Sequence, residues 1–223
     1  MLELTEVSIT IVFLIEIVGT AAFALSGAMT AIRKQFDLFG VLILGVTTAV
    51  CGGLIRDIIL GIIPPAMFKR PVYVITASIC SLILFFGIRI RQDLLQSRHK
   101  GLYRQLLNIS DAVGLGAFTV IGINTACEAG FGANGFLLAA VGAITGVGGG
   151  LLRDIMAQEA PQIFVKHIYA VASITGALVC ILLRKCLPMD VAMCSGAAVV
   201  VIIRLLSAHY QWNLPKAIID KGK

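Results

Sequence analysis

A chain of 223 residues with 58% hydrophobic and only 13% charged residues is too poor in charge for a soluble domain, where about a quarter of residues are charged. Apolar runs near twenty residues recur without period-two alternation, which excludes an outer-membrane barrel and points to an all-α integral membrane protein. The net charge of +6 sits mostly in short connections between those runs, so it reads as a topology signal and not as a nucleic-acid surface.

The N-terminus carries Glu3 and Glu6 but no Lys or Arg before the first apolar run. It lacks the basic start of a secretory signal, so that run is expected to remain as a span. Seven spans follow in order, at Val7–Thr30, Phe39–Ile63, Val72–Ile90, Leu106–Cys127, Asn134–Met156, Ile168–Leu183 and Val191–Ser207. The connections are short apart from the basic segment Arg91–Gln105, so residues 1–223 form a single membrane domain with a tail over 208–223. Arg33, Lys34, Arg89, Arg91, Arg98, Lys100, Arg104, Lys166, Lys216, Lys221 and Lys223 fall on one side, against Lys69, Arg70, Arg184 and Lys185 on the other. That imbalance places the first side in the cytoplasm, with the N-terminus outside and the C-terminus inside a cell membrane.

The chain repeats itself. Glu16-Ile17-Val18-Gly19 and Ala22-Phe23 align with Asp111-Ala112-Val113-Gly114 and Ala117-Phe118. Gly52-Gly53-Leu54-Ile55-Arg56-Asp57 aligns with Gly149-Gly150-Leu151-Leu152-Arg153-Asp154, Pro64 with Pro161, and Tyr73 with Tyr169 after a one-residue slip. Residues 7–90 and 106–183 are thus two three-helix repeats, with a seventh helix at 191–207. An odd number of spans per repeat turns the copies opposite ways across the membrane. Such inverted repeats frame a site near the midplane at their interface.

Consecutive glycines weaken a helix, so Gly52, Gly53, Gly148, Gly149 and Gly150 read as helix breaks; the alternative is close helix packing. At 1.5 Å per residue, Glu16 lies roughly 13 Å deep in the first span and Arg56-Asp57 about 10 Å deep in the second. Depth therefore groups the charges into two triads, Glu16/Arg56/Asp57 and Asp111/Arg153/Asp154. With every carboxylate ionised each triad is net negative, which favours cations between them. The competing reading is that each Arg-Asp pair anchors a span end at the interface. Ser26, Thr47, Thr48 and Thr145 are candidates to line a path, or helix-packing hydroxyls.

Arg204, near the end of the seventh span, is expected to snorkel, and the 89–104 basic segment to meet anionic headgroups. The six cysteines lie in or beside apolar runs without metal spacing and read as reduced packing residues, while His99, His167 and His209 read as solvated. No nucleophile–base pair, phosphate loop or zinc motif is present, so neither an enzyme nor a bound cofactor or metal is expected.

The paired Gly-Gly-x-x-Arg-Asp motifs, each followed by proline, resemble those of the prokaryotic trimeric intracellular cation (TRIC) channels. The resemblance implies a homotrimer with a separate pore in each protomer, passing monovalent cations and chiefly K⁺. It also implies glycine kinks in spans two and five around that pore, at Gly52-Gly53 and Gly148-Gly149-Gly150. Cys51 stands where the second motif has Gly148, and the Lys-Glu-Val motif of the eukaryotic members is missing. Related sequences carry a glycine-transporter label, so the alternative is a secondary transporter of a small amino acid such as glycine.

Overall fold

A computed structural model describes residues 2–90, 100–165 and 168–212. Lys166, His167, residues 91–99 and the tail from 213 onward, which carry much of the orientation argument, lie outside the described residues. The described chain is helical throughout: α1 Leu2–Arg33, α2 Leu38–Ile59, α3 Ala66–Lys69, α4 Val72–Ile90, α5 Lys100–Ala126, α6 Gly135–Met156, α7 Gln162–Val165, α8 Tyr169–Leu183 and α9 Met189–Tyr210. A π-turn, Cys127–Phe131, follows α5 and kinks at Gly130, whose φ of 91° needs a glycine. Six of the helices are long and apolar enough to cross a membrane, whereas α8 has 15 residues. At 1.5 Å per residue α8 is about 22 Å long, short of the roughly 30 Å of hydrocarbon.

Equivalent residues start and end equivalent helices. Asp37 caps α2 by accepting the Gly40 N–H at 2.7 Å, and Asn134 caps α6 by accepting the Leu137 N–H at 3.1 Å. Past the long helices, α3 and α7 are matching one-turn helices, each tied back to its Arg-Asp motif. Asp57 Oδ2 accepts the Ala66 N–H at 2.7 Å, and Asp154 Oδ2 accepts the Gln162 N–H at 2.8 Å.

The core is a four-helix arrangement of α1, α2, α5 and α6, with α4 against α1 and α2, α8 against α5 and α6, and α9 against α5 and α8. Glycines set the closest crossings. A Cβ on Gly52 would stand 2.2 Å from the Thr145 carbonyl oxygen, and one on Gly149 would stand 2.1 Å from the Thr48 carbonyl oxygen. Along α2 the contact numbers rise while along α6 they fall, so this pair is antiparallel. The same holds for α1 and α5, where Gly19 meets Ala117 and Gly114 meets Phe23.

These contacts correct the expected helix breaks. Both α2 and α6 run as unbroken α-helix through Gly52-Gly53 and Gly148-Gly149-Gly150. The physical reason is compensation: removing Cβ at Gly52 and Gly149 lets two backbones approach to contact distance, and that packing outweighs the poor helix propensity of glycine. Gly148 sits against the Gly52 Cα, and Gly150 faces the Tyr169 hydroxyl. Gly53 alone has room, its nearest neighbour being Arg56 Nη2 at 3.6 Å. The second span also ends earlier than Ile63, because the chain turns at Gly61, whose φ is 70°.

Candidate functional site

Polar and aromatic side chains occupy one face of α1 in the order Glu16, Thr20, Phe23, Ser26, a spacing that keeps them in line on a helix. The matching face of antiparallel α5 carries Asp111, Leu115, Phe118 and Ile121. Phe23 and Phe118 stack at the middle, with ring centroids 5.4 Å apart and planes within 20°. A charged cluster lies on each side of this aromatic pair.

The cluster around Arg153 is closed. Arg153 is fully buried and donates to Asp111 Oδ1 at 2.7 Å, to Asp154 Oδ1 through Nε at 2.9 Å, and to Ser26 Oγ. Asp111 also accepts from Arg204 at 3.3 Å on its other oxygen, and Tyr169 Oη lies 3.4 Å from its first. Arg204 stacks its guanidinium 4.4 Å above the Tyr169 ring. The expected triad Asp111/Arg153/Asp154 is therefore assembled, with Ser26, Tyr169 and Arg204 added. Two arginines against two aspartates make it neutral, so the expected net negative charge is wrong for this half. Arg204 does not snorkel. It is carried by α9 but turns inward, where Asp111 and an aromatic face replace the water it loses.

The cluster around Arg56 is open. Arg56 pairs with Asp57 through Nε at 2.8 Å and Nη2 at 2.7 Å. Glu16 instead accepts from the Tyr73 hydroxyl at 2.5 Å, and no ion pair within 4 Å joins it to Arg56 among the described residues. Between them is a cavity of about 40 Å³ lined by Glu16, Thr20, Gly53, Arg56, Asp57 and Tyr73, and floored by Phe118 and Ile121. At 10–15 Å³ or more per water, this holds roughly two or three waters. The third member of the expected triad thus lines the same cavity as the Arg-Asp pair without pairing with it.

One substitution between the repeats accounts for much of this difference. Ser26 seals Arg153, whereas the matching position on α5 is Ile121, which offers Arg56 nothing to donate to. Thr48 and Thr145 are buried and donate to the carbonyls of Leu44 and Val141 in their own helices, both at 2.6 Å. Their hydroxyls pack against Gly27 of α1 and Gly122 of α5, while their backbone carbonyls meet the glycines of the α2–α6 crossing. Thr47 is half-buried on α2 and outside the cavity lining.

On the side of the closed cluster, Glu159 joins the end of α1 to the loop after α6, taking Arg33 at 2.6 Å and Lys34 at 3.2 Å. Burial alone would raise the Glu159 pKa, but the two cations outweigh it and hold the carboxyl below its ordinary range. Sequence reasoning noticed Tyr73, Tyr169, Phe23 and Phe118 only as markers of the repeat. Their signal was available: an aromatic residue at matched positions in two copies that otherwise diverge.

A protein-family model described as glycine transporter matches twice, over residues 13–89 and 108–185, the two halves that the internal repeat delimits. The UPF0126 inner membrane protein YadS of Escherichia coli K12 is 38% identical over 95% of this chain and 99% of its own length. Among solved structures, a prokaryotic TRIC channel crystallised in 0.5 M KCl superposes with a TM-score of 0.82 at 33% identity, covering 92% of this chain and 99% of the other. The TRIC trimeric intracellular cation channel orthologue from Rhodobacter sphaeroides gives 0.81 at 32% identity, covering 91% and 100%. With identities above 30% along almost the full length of both chains, this protein belongs to the family that unites the UPF0126 membrane proteins with the prokaryotic TRIC channels.

Proposed function

We propose that the protein is a channel for monovalent cations, chiefly K⁺, with one path inside each protomer of a homotrimer in the bacterial inner membrane. The observation that carries this reading is the line of groups along the α1–α5 seam. A hydrated cavity holding Glu16 and the Arg56-Asp57 pair leads to the Phe23–Phe118 stack, and beyond it lies the Asp111/Arg153/Asp154 cluster. The Glu16 end, with two carboxylates against Arg56, favours cations, and the apolar constriction between the ends gates by excluding water. In the conformation described here the path is closed, by the phenylalanine stack and by Arg153 on Ser26. Opening requires both to move, and the Gly52–Thr145 and Gly149–Thr48 crossings are where α2 and α6 slide.

The antiparallel α1–α5 and α2–α6 contacts support two repeats inverted across the membrane, with α8 and α9 as the sixth and seventh spans. The bias of Lys and Arg supports an outside N-terminus and a cytoplasmic C-terminus. Solved relatives that are cation channels, one of them described as trimeric, support the function and the assembly. No cofactor and no catalytic step belong to this reading. Reconstitution in liposomes under a K⁺ gradient, followed by planar-bilayer recording, tests it: discrete unitary cation currents are expected. The double match to a glycine-transporter model motivates the competing outcome, saturable glycine uptake coupled to Na⁺ or H⁺ with no unitary currents, which would replace the channel reading.

A further inference from the structure

The two ends of the path differ in formal charge, and the difference comes from outside the repeat. At the open end Arg56 faces Glu16 and Asp57, one cation against two carboxylates. Arg70 and Glu128 also act on Glu16 with opposite sign, the arginine more strongly, and together they add no net formal charge. At the closed end Arg153 faces Asp111 and Asp154 in the same ratio, but Arg204 adds a second cation, 3% exposed and 3.3 Å from Asp111. Arg204 is carried by α9, which packs on α5 and α8, the first and third long helices of the second repeat. Their counterparts α1 and α4 have no such helix among the described residues, because the chain has seven apolar runs and not eight.

We propose that Arg204 is a charge-setting residue of the conduction path, making its two ends electrostatically unequal so that the channel rectifies. This rests on the cation-channel reading above. A permeant cation meets a net negative vestibule at the Glu16 end and a neutral one at the Asp111 end. Its local concentration at the entry site, and hence the current, then depends on the direction of the driving force. Tyr169 fixes the position: its ring lies under the Arg204 guanidinium and its hydroxyl reaches the same aspartate, which keeps the arginine inward. The repeat-matched Tyr73 donates its hydroxyl to Glu16 and also meets Arg70, which, unlike Arg204 on Asp111, forms no ion pair within 4 Å with that carboxylate among the described residues. Asp111 keeps Arg153 at 2.7 Å when Arg204 is neutralised, so the cluster retains an ion pair.

The experiment is single-channel recording in symmetric KCl at pH 8, comparing the current ratio at equal positive and negative voltages for wild type, Arg204→Gln, Arg204→Lys and Glu16→Gln. A unit charge a few ångströms from the path changes cation occupancy several-fold, so the ratio should move toward one by at least about twofold in Arg204→Gln, with larger unitary current. Arg204→Lys should keep the wild-type ratio, because it keeps the charge. Glu16→Gln should also bring the ratio toward one, but with smaller current, since it neutralises the other end. A conducting wild type that does not rectify overturns the proposal, and so does an unchanged ratio in Arg204→Gln. Equal effects of Arg204→Lys and Arg204→Gln overturn it too, because a purely structural arginine would behave that way. If Arg204→Gln fails to assemble, the Glu16→Gln ratio decides alone. A wild type with no unitary current refutes the channel reading itself, which is a different result from a channel whose ratio ignores these charges.

Discussion

Alanine substitutions at three glycines of the motifs separate a packing role from a flexible-hinge role, because the two roles give opposite signs at one of them. A Cβ at position 52 would lie 2.2 Å from the Thr145 carbonyl oxygen, and at position 149 it would lie 2.1 Å from that of Thr48. Ordinary carbon–oxygen contacts are about 3.3 Å or longer, so each alanine must push α2 and α6 apart by about 1 Å. The obstacle is backbone on both sides and cannot rotate away. Overpacking of this kind costs about 1–3 kcal/mol, and for a chain of this length about 2–4 °C of Tm accompanies each kcal/mol. Gly52→Ala and Gly149→Ala are therefore each expected to lower the midpoint by several degrees, and by similar amounts, since the two contacts mirror each other. Gly53→Ala meets only Arg56 Nη2 at 3.6 Å, and alanine favours helix by about 1 kcal/mol, so this variant should be neutral or more stable. Thermal unfolding of the detergent-solubilised protein, scored as surviving oligomer on size exclusion, gives the ranking. If Gly53→Ala destabilises as much as Gly52→Ala, or if all three melt with wild type, the close-approach argument fails and a conformational role for the glycines returns.

Ser26→Ala removes one of the groups that hold Arg153, so open probability in bilayers should rise several-fold; the reciprocal Ile121→Ser gives Arg56 a hydroxyl and should lower it. Asp57→Asn should destabilise by up to about 3–5 kcal/mol, because it removes the carboxylate paired with the buried Arg56, whereas Asp154→Asn leaves Arg153 paired with Asp111 at 2.7 Å and should cost less; unfolding midpoints test this. Both asparagine variants that assemble should pass less K⁺ than wild type, and the double variant least, as read from unitary conductance under a KCl gradient. Glu159→Gln should cost at most about 1 kcal/mol at neutral pH, since the pair with Arg33 and Lys34 is half exposed. With the Glu159 carboxyl held below its ordinary pKa, that contribution is present above the unfolded value and lost as pH falls through the folded one. Wild type and Glu159→Gln should accordingly converge in midpoint below about pH 4, the usual carboxylate range.

The spans were legible because twenty-residue apolar runs have one common solution in a membrane, although α1 and α5 start at Leu2 and Lys100, before the expected Val7 and Leu106. The exception was the sixth, where Tyr169–Leu183 is too short to span by length alone. The triads were legible in part. Equal depth brought Asp111 and Arg153 together, and the same reasoning brought Glu16 only to the edge of the Arg56 cavity. Depth is a single coordinate and says nothing about rotation about the helix axis. Rotation decided Arg204 as well: its position near a span end suited snorkelling, and only the packing of α9 on α5 and α8 turns it inward. The glycines show the same difficulty in another form. Two or three in a row signal that something departs from an ordinary helix, yet a break and a close crossing draw on the same missing Cβ. The choice between them lies in the partner helix, where Thr48 and Thr145 present carbonyls at the mirrored positions.

Duplication explains why one motif yields two chemically different ends. Each copy builds the same local unit, in which an aspartate binds the preceding arginine with one oxygen and caps a one-turn helix with the other. That unit is self-contained, so it survives changes in its surroundings. What surrounds it is supplied by the other repeat across the α1–α5 seam, and there Ser26 and Ile121 differ. A serine gives the arginine a buried partner and excludes water; an isoleucine leaves the arginine with its own aspartate and a cavity. An inverted pair of identical halves would have to open and close symmetrically. Seam substitutions that leave the motifs untouched free the two ends to differ, so gating variants are to be sought on the α1 and α5 faces that meet the motifs and not in the motifs themselves.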